Sequence, residues 1–147
     1  MNEKKLQIRL SSLEDFVFVF DLLKQLWKDR QLDFIAIQNV YNQALQSNKQ
    51  KFIVGLVDNK IVGFCSLTIK NNLWQAGNLG HIDELIIDEN YRGLSIGTKL
   101  MAEITKIAKE ANCKRIELDS AFHRKEAHQF YENLGYENRA FLFSKEL

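Results

Sequence analysis

The sequence predicts an α/β fold in which one mixed sheet carries helices on its faces. Three observations predict it. Apolar residues recur by turns at strand and at helical spacing, a two-residue polar break at Asp58-Asn59 divides two β-rich runs, and a glycine-bearing stretch over residues 90–97 joins a strand to a strongly amphipathic helix. The pattern shows no repeat, low-complexity tract or linker, and the chain contains no proline. One domain over residues 1–147 is expected, an ordinary length for a globular unit.

In order, residues 6–10 read as a strand because Leu6, Ile8 and Leu10 alternate with polar Gln7 and Arg9. Ser12 reads as an N-cap with Asp15 three residues on, and Leu13, Phe16, Val17, Phe20, Leu23 and Trp27 follow at helical spacing. The run Phe16 to Phe20 also fits a strand, but the spacing continues too far beyond it for one. A second helix is expected over residues 33–47. Residues 51–57 and 60–69 are β-rich and, with Asp58-Asn59 between them, predict an antiparallel hairpin. The polar, glycine-containing residues 71–80 read as a loop, in which Trp74 is either a lid contact or a packed aromatic.

From His81 to Asp88 the chain is strand-like, yet its apolar parity switches between Ile82 and Leu85. A β-bulge near Asp83 and Glu84 accounts for the switch and re-aims side chains, as bulges beside active sites do. The plain alternative is a strand buried on both faces with acids at its edge. After the loop comes a helix with Ile96, Leu100, Ile104, Ile107, Ala108 and Ala111 on one face. Residues 114–119 form a further strand. A short helix through Ala127, Phe130, Tyr131 and Leu134 ends at Gly135, and a last, antiparallel strand is expected over residues 141–147.

Twenty Lys and Arg against nineteen Asp and Glu leave a formal charge of +1, without the basic field of a general nucleic-acid binder. A small-molecule or peptide partner is favoured. The polar start, Met1 to Lys5, is not followed by the apolar run of a signal peptide, and no stretch has transmembrane length. Cys65 and Cys113 each lie in an apolar segment, which predicts free thiols in a reducing cytoplasm. His123 and His128 lack partners at metal-ligand spacing, so no metal is expected. No Ser-His-acid motif is apparent.

Strand, glycine-bearing loop and helix together form an arrangement that binds phosphate, because loop N–H groups and the helix dipole both favour an anion. Taken alone, two glycines before a helix equally describe a structural turn. The order of motifs decides between these readings. Arg92-Gly93-Leu94-Ser95-Ile96-Gly97 matches the pattern Arg/Gln-x-x-Gly-x-Gly/Ala, preceded at the usual distance by Ile87, and Ala127, Phe130, Tyr131, Gly135 and Tyr136 match Ala-x-x-Phe-Tyr-x-x-x-Gly-Phe/Tyr. In these motifs the chain resembles the GNAT acetyltransferase superfamily over almost its whole length, with one departure: Ser95 replaces the central glycine.

The resemblance implies a central mixed, mostly antiparallel sheet of six to seven strands with helices on both faces. It implies acetyl-CoA as cosubstrate, held by Leu85, Ile86 and Ile87 at the strand end, by Arg92, Gly93, Leu94, Ser95, Ile96, Gly97 and Thr98 in the loop and helix start, and by Arg124 and Tyr131 later. Relatives often carry Asn at the place of Arg124, whose cation suits a CoA phosphate, and a solvated helix-start charge is the alternative.

An amine must be neutral to attack a thioester, so a base has to take its proton. Relatives of the diamine acetyltransferase kind carry an acid four residues before the strand hydrophobe that is Ile87 here, which implies Asp83, with Glu84 and His81 in reserve. Surface acids at a strand end are the plain alternative. Tyr131 matches the position whose phenol is proposed to protonate the departing thiolate, and core packing beside Phe130 is its other reading. A backbone N–H near Leu85 is expected to polarise the acetyl carbonyl. The implied function is transfer of the acetyl group to a primary amine by direct attack in a ternary complex, with a small cationic amine favoured. A CoA-binding regulatory module without catalysis and a protein N-acetyltransferase are the alternatives. The acceptor site is expected between the first two helices and the loop around Trp74. Neither nucleic acid nor membrane is expected as a partner, and a homodimer stays open.

Overall fold

The computed structural model describes residues 5–147, so the polar start read above lies, apart from Lys5, outside the described residues. Five strands form one sheet in sequential order: β1 (Leu6–Leu10), β2 (Gln50–Val57), β3 (Lys60–Asn72), β4 (Gly77–Ile87) and β5 (Cys113–Leu118). The first four are antiparallel, and β5 runs parallel to β4. Four α-helices accompany them: α1 (Phe16–Leu26), α2 (Phe34–Gln46), α3 (Ile96–Glu110) and α4 (Lys125–Asn133).

Local chemistry sets these boundaries. Asp58 and Asn59 sit at φ 51° and 62°, the left-handed pair that a two-residue hairpin turn requires. Ahead of α1, the Ser12 N–H donates to Asp15 Oδ2 at 2.8 Å, and Arg9 grips the same carboxylate. Asp33 caps α2 by accepting from the Ala36 N–H at 3.0 Å.

The sheet is covered on both faces. On one side α1 and α2 lay Phe16, Val19, Leu22, Leu23 and Tyr41 over Val54, Leu56, Phe64 and Ile86. The buried stripe of α1 thus runs one step away from Leu13 and Val17, which are exposed; five consecutive apolar residues leave the helical phase open, and contact with the sheet selects it. On the other side α3 buries the expected Ile96, Leu100, Ile104 and Ala108 against Val62, Cys65, Leu67 and Ile82.

Two expectations are corrected. Among the described residues the sheet has five strands, not six or seven, because residues 141–147 form none. Phe141, Leu142 and Phe143 are exposed, Phe143 to 89%, and no described segment of this chain pairs with them. Alternating apolar residues suit a strand, but a ladder needs a partner for its N–H and C=O groups. Residues 71–80, read as a loop, are mostly strand: Asn71 pairs with Asn78 and Asn72 with Gly77, leaving only a short turn around Leu73 to Ala76. Backbone pairing extends the hairpin where side chains have poor strand propensity. Trp74 at that turn is 69% exposed rather than packed, with the Arg139 guanidinium 4.6 Å from its ring centroid.

Candidate active site

Ser66 pairs with Glu84 and the next residue, Leu67, pairs with Ile82, so Asp83 is the extra residue of a β-bulge. The parity switch between Ile82 and Leu85 has this physical cause. On its other edge β4 pairs with β5 only as far as Ile82 with Leu118. From Asp83 onward the two parallel strands separate, and a cleft of about 260 Å³ opens between them. Asp83, Glu84 and Leu85 line it from β4, Asp119 and Ser120 from just beyond β5, Arg124 from the cap of α4, Ala127 and Tyr131 from α4 itself, and Leu26 and Trp27 from the end of α1.

The three candidate bases differ in environment. Asp83 is exposed, and both of its oxygens are engaged: Thr68 Oγ1 donates to Oδ2, and His81 Nδ1 lies 2.8 Å from Oδ1. The other ring nitrogen of His81 lies 3.3 Å from Asp119 Oδ2. The hydrogen bond with Asp83 raises the His81 pKa against the opposing effect of burial. Glu84 is half-buried, and its carboxylate accepts from the Ser66 hydroxyl, while its own N–H donates to Ser66 Oγ at 2.9 Å. Burial raises the Glu84 pKa above its ordinary value, and the Ser66 hydrogen bond offsets part of that rise.

Across the cleft, burial pushes the Tyr131 phenol up to about 12, so it is protonated at neutral pH. Its ring packs edge-on against Phe130 with centroids 5.3 Å apart. Tyr131 therefore serves the core and the cleft together. Arg124 faces the same cleft, but its guanidinium donates to the Leu26 carbonyl at 2.9 Å.

The glycine-bearing loop sits beside the same end of β4. Arg92 folds back so that Nε donates to the Ile87 carbonyl at 3.3 Å, and residues 92–95 are exposed. Gly93 takes φ 79° with open space around it, and Ser95 takes the left-handed φ 63° just before α3. A non-glycine residue there costs on the order of 1–3 kcal/mol, so Ser95 carries strain that the family's glycine avoids. At Gly97 a Cβ would lie 3.4 Å from the Phe130 ring and 3.8 Å from Ile87 Cγ1, which places the start of α3 against strand end and α4 alike. Loop amides and the α3 dipole together suit an anion.

A family model described as the acetyltransferase (GNAT) family matches residues 16–136. The chain belongs to the GNAT family. It is a GNAT-type N-acetyltransferase, of a family that uses acetyl-CoA. It is 30% identical to an aminoalkylphosphonate N-acetyltransferase of Salmonella typhimurium over 96% of this chain and 91% of that protein. It is 26% identical to a glucosamine 6-phosphate N-acetyltransferase of Trypanosoma brucei brucei over 89% of this chain and 88% of the relative. A crystal structure of a Trypanosoma brucei acetyltransferase superposes with a TM-score of 0.81 at 25% identity, covering 97% of this chain and 100% of that one.

The GNAT motifs identified in the sequence thus converge on one end of β4. Asp83, Glu84, Leu85, Arg124 and Tyr131 line the cleft, His81 backs it through Asp83, and the loop lies alongside. Trp74, expected near the acceptor, is not among the cleft's lining residues; Trp27 stands there instead. Sequence reasoning missed Ser66 and Asp119. A lone serine inside the apolar run of residues 61–67 was the available signal, since a buried hydroxyl needs a partner.

Proposed function

We propose that this chain, as one acetyltransferase domain, moves the acetyl group of acetyl-CoA to the primary amine of a small acceptor by direct attack in a ternary complex. The observation that carries this reading is the meeting of Glu84 and Tyr131 in one cleft at the point where β4 and β5 separate. Acetyl-CoA supplies the activated acyl group as a thioester. Its fit rests on the open backbone at Gly93, the exposed loop through Ser95, Gly97 and Thr98 at the start of α3, and the stretch Leu85, Ile86 and Ile87 that β5 leaves unpaired.

In this reading Glu84 is the base. Asp83 is already held by Thr68 and His81, whereas the half-buried Glu84 carboxylate has a pKa raised toward its task. Glu84 takes the proton of the acceptor's ammonium, and Tyr131 gives its phenolic proton to the departing thiolate. Asp83, His81 and Asp119 then form the wall that receives a cationic amine. Backbone N–H groups along the unpaired edge near Leu85 polarise the acetyl carbonyl.

The two curated relatives act, by their names, on an aminoalkylphosphonate and on glucosamine 6-phosphate, and each acceptor joins an amine to an anionic phosphorus group. Arg124, the one basic side chain lining this cleft among the described residues, supports the same class here. A panel of aminoalkylphosphonates, glucosamine 6-phosphate, glucosamine and polyamines, assayed by release of the CoA thiol, tests the acceptor. Turnover favouring the phosphorus-bearing amines is expected; turnover of polyamines alone overturns the anionic requirement, and CoA binding with no turnover of any amine favours a regulatory module. The free cysteines Cys65 and Cys113 support a reducing, cytoplasmic setting. Exposed Phe141, Leu142 and Phe143 support a homodimer in which this segment meets a second copy, a role that an unchanged sedimentation profile in Phe143→Asp would contradict.

A further inference from the structure

Ser66 lies at the centre of β3, fully buried and flanked by Cys65 and Leu67, both of which are also fully buried. A hydroxyl in such surroundings is destabilising unless its hydrogen bonds are made. Both of those it makes go to one residue of the neighbouring strand. Its oxygen accepts from the Glu84 N–H, and its proton goes to the Glu84 carboxylate. Ser66 is also the position where the β3–β4 register slips.

We propose that Ser66 is the positioning residue of this site: its hydroxyl fixes the bulge and holds the Glu84 carboxylate, ionised, in the orientation that takes the acceptor's proton. The inference rests on Glu84 as the base. A serine hydroxyl has one proton. One lone pair of its oxygen takes the Glu84 N–H, its proton goes to the Glu84 carboxylate, and that bond favours the charged form. The bulge supplies an amide, the amide orients the hydroxyl, and the hydroxyl orients the base. Burial alone would push the Glu84 carboxyl further up and leave it protonated over more of the pH range.

The other groups around Glu84 do not duplicate this role. Asp83 and His81 on β4 are bonded to one another, Asp119 is bonded to His81, and Arg124 on α4 donates to Leu26. Tyr131 lines the same cleft from α4, the Cys65 thiol on β3 is pushed up by burial, and the α1 wall of Leu26 and Trp27 carries no charge.

The test is the pH dependence of kcat/KM for the acceptor in Ser66→Ala, Ser66→Thr and Glu84→Gln. Ser66→Ala is expected to move the acid limb upward by about one pH unit or more, since a hydrogen bond to a charged group shifts an equilibrium about tenfold or more. Ser66→Thr, which keeps the hydroxyl, restores the wild-type limb. A purely structural serine would lower activity at every pH without moving the limb. An unmoved limb in Ser66→Ala overturns the role of Ser66, while displacement of the limb to the amine's own titration in Glu84→Gln alongside it leaves the base assignment standing. If Glu84→Gln itself keeps the wild-type profile, the base assignment falls and this role with it. Should Ser66→Ala not fold, Ser66→Cys keeps the volume with a weaker donor, and an unmoved limb there counts equally against the proposal.

Discussion

The guanidinium of Arg124 donates to the carbonyl of Leu26 at 2.9 Å, joining the start of α4 to the last residue of α1 across the cleft. In the proposed reading this bond turns Arg124 toward the acceptor, although the sequence suggested a CoA phosphate for it. Arg124→Met should raise the acceptor KM about fivefold or more and leave acetyl-CoA affinity nearly unchanged. Separate measurement of KM for each substrate decides this, and a loss confined to acetyl-CoA returns Arg124 to the phosphate.

At Gly97 a Cβ would already touch Phe130 at 3.4 Å, so a longer side chain must push into the Phe130-Tyr131 pair or out over the loop. Gly97→Leu should weaken CoA binding more than tenfold, because close backbone approach is what the loop offers an anion. Titration calorimetry on the folded variant measures it. Undiminished affinity would show that the loop does not hold the pyrophosphate.

Legibility in the sequence followed physics that acts locally. The parity switch from Ile82 to Leu85 revealed the bulge at Asp83 because side chains of a strand alternate strictly, and Asp58-Asn59 revealed the hairpin because few residues tolerate its backbone. The face of α3 was readable for the same reason. Partnership was not readable. Phe141 to Leu147 has strand composition, but the sequence does not say whether a ladder exists for it, and Asn71 and Asn72 join β3 through pairing that their side chains do not advertise. The proposal of Glu84 in place of Asp83 rests on the positions of Thr68, His81 and Ser66, which lie on two different strands.

Asp15 offers a stability prediction with a defined sign. Its hydrogen bond with Arg9 holds its pKa below the ordinary value of 3.8, against the opposing effect of burial, and Ser12 adds a backbone N–H. A depressed folded-state pKa contributes stability that is present above the unfolded value and is lost as pH falls through the folded one. Asp15→Asn should therefore cost about 1–2 kcal/mol at neutral pH, with the difference from wild type shrinking in acid. Urea midpoints at the two pH values check it; a difference that persists unchanged in acid would contradict it.

Tyr131→Phe removes the hydroxyl and keeps the ring against Phe130. It should lower kcat about 10²-fold or more with acetyl-CoA affinity intact, since proton donation to a leaving group is typically worth that much. A loss of affinity with kcat unchanged would assign Tyr131 to packing alone.

The account stands on Glu84 as the group that accepts the amine's proton, and the pH profile of kcat/KM in Glu84→Gln tests it most directly. The account predicts a loss of about 10²-fold or more at and below neutral pH, with recovery as rising pH deprotonates the amine unaided. A loss of less than about tenfold, with the acid limb of the wild type retained, would contradict it.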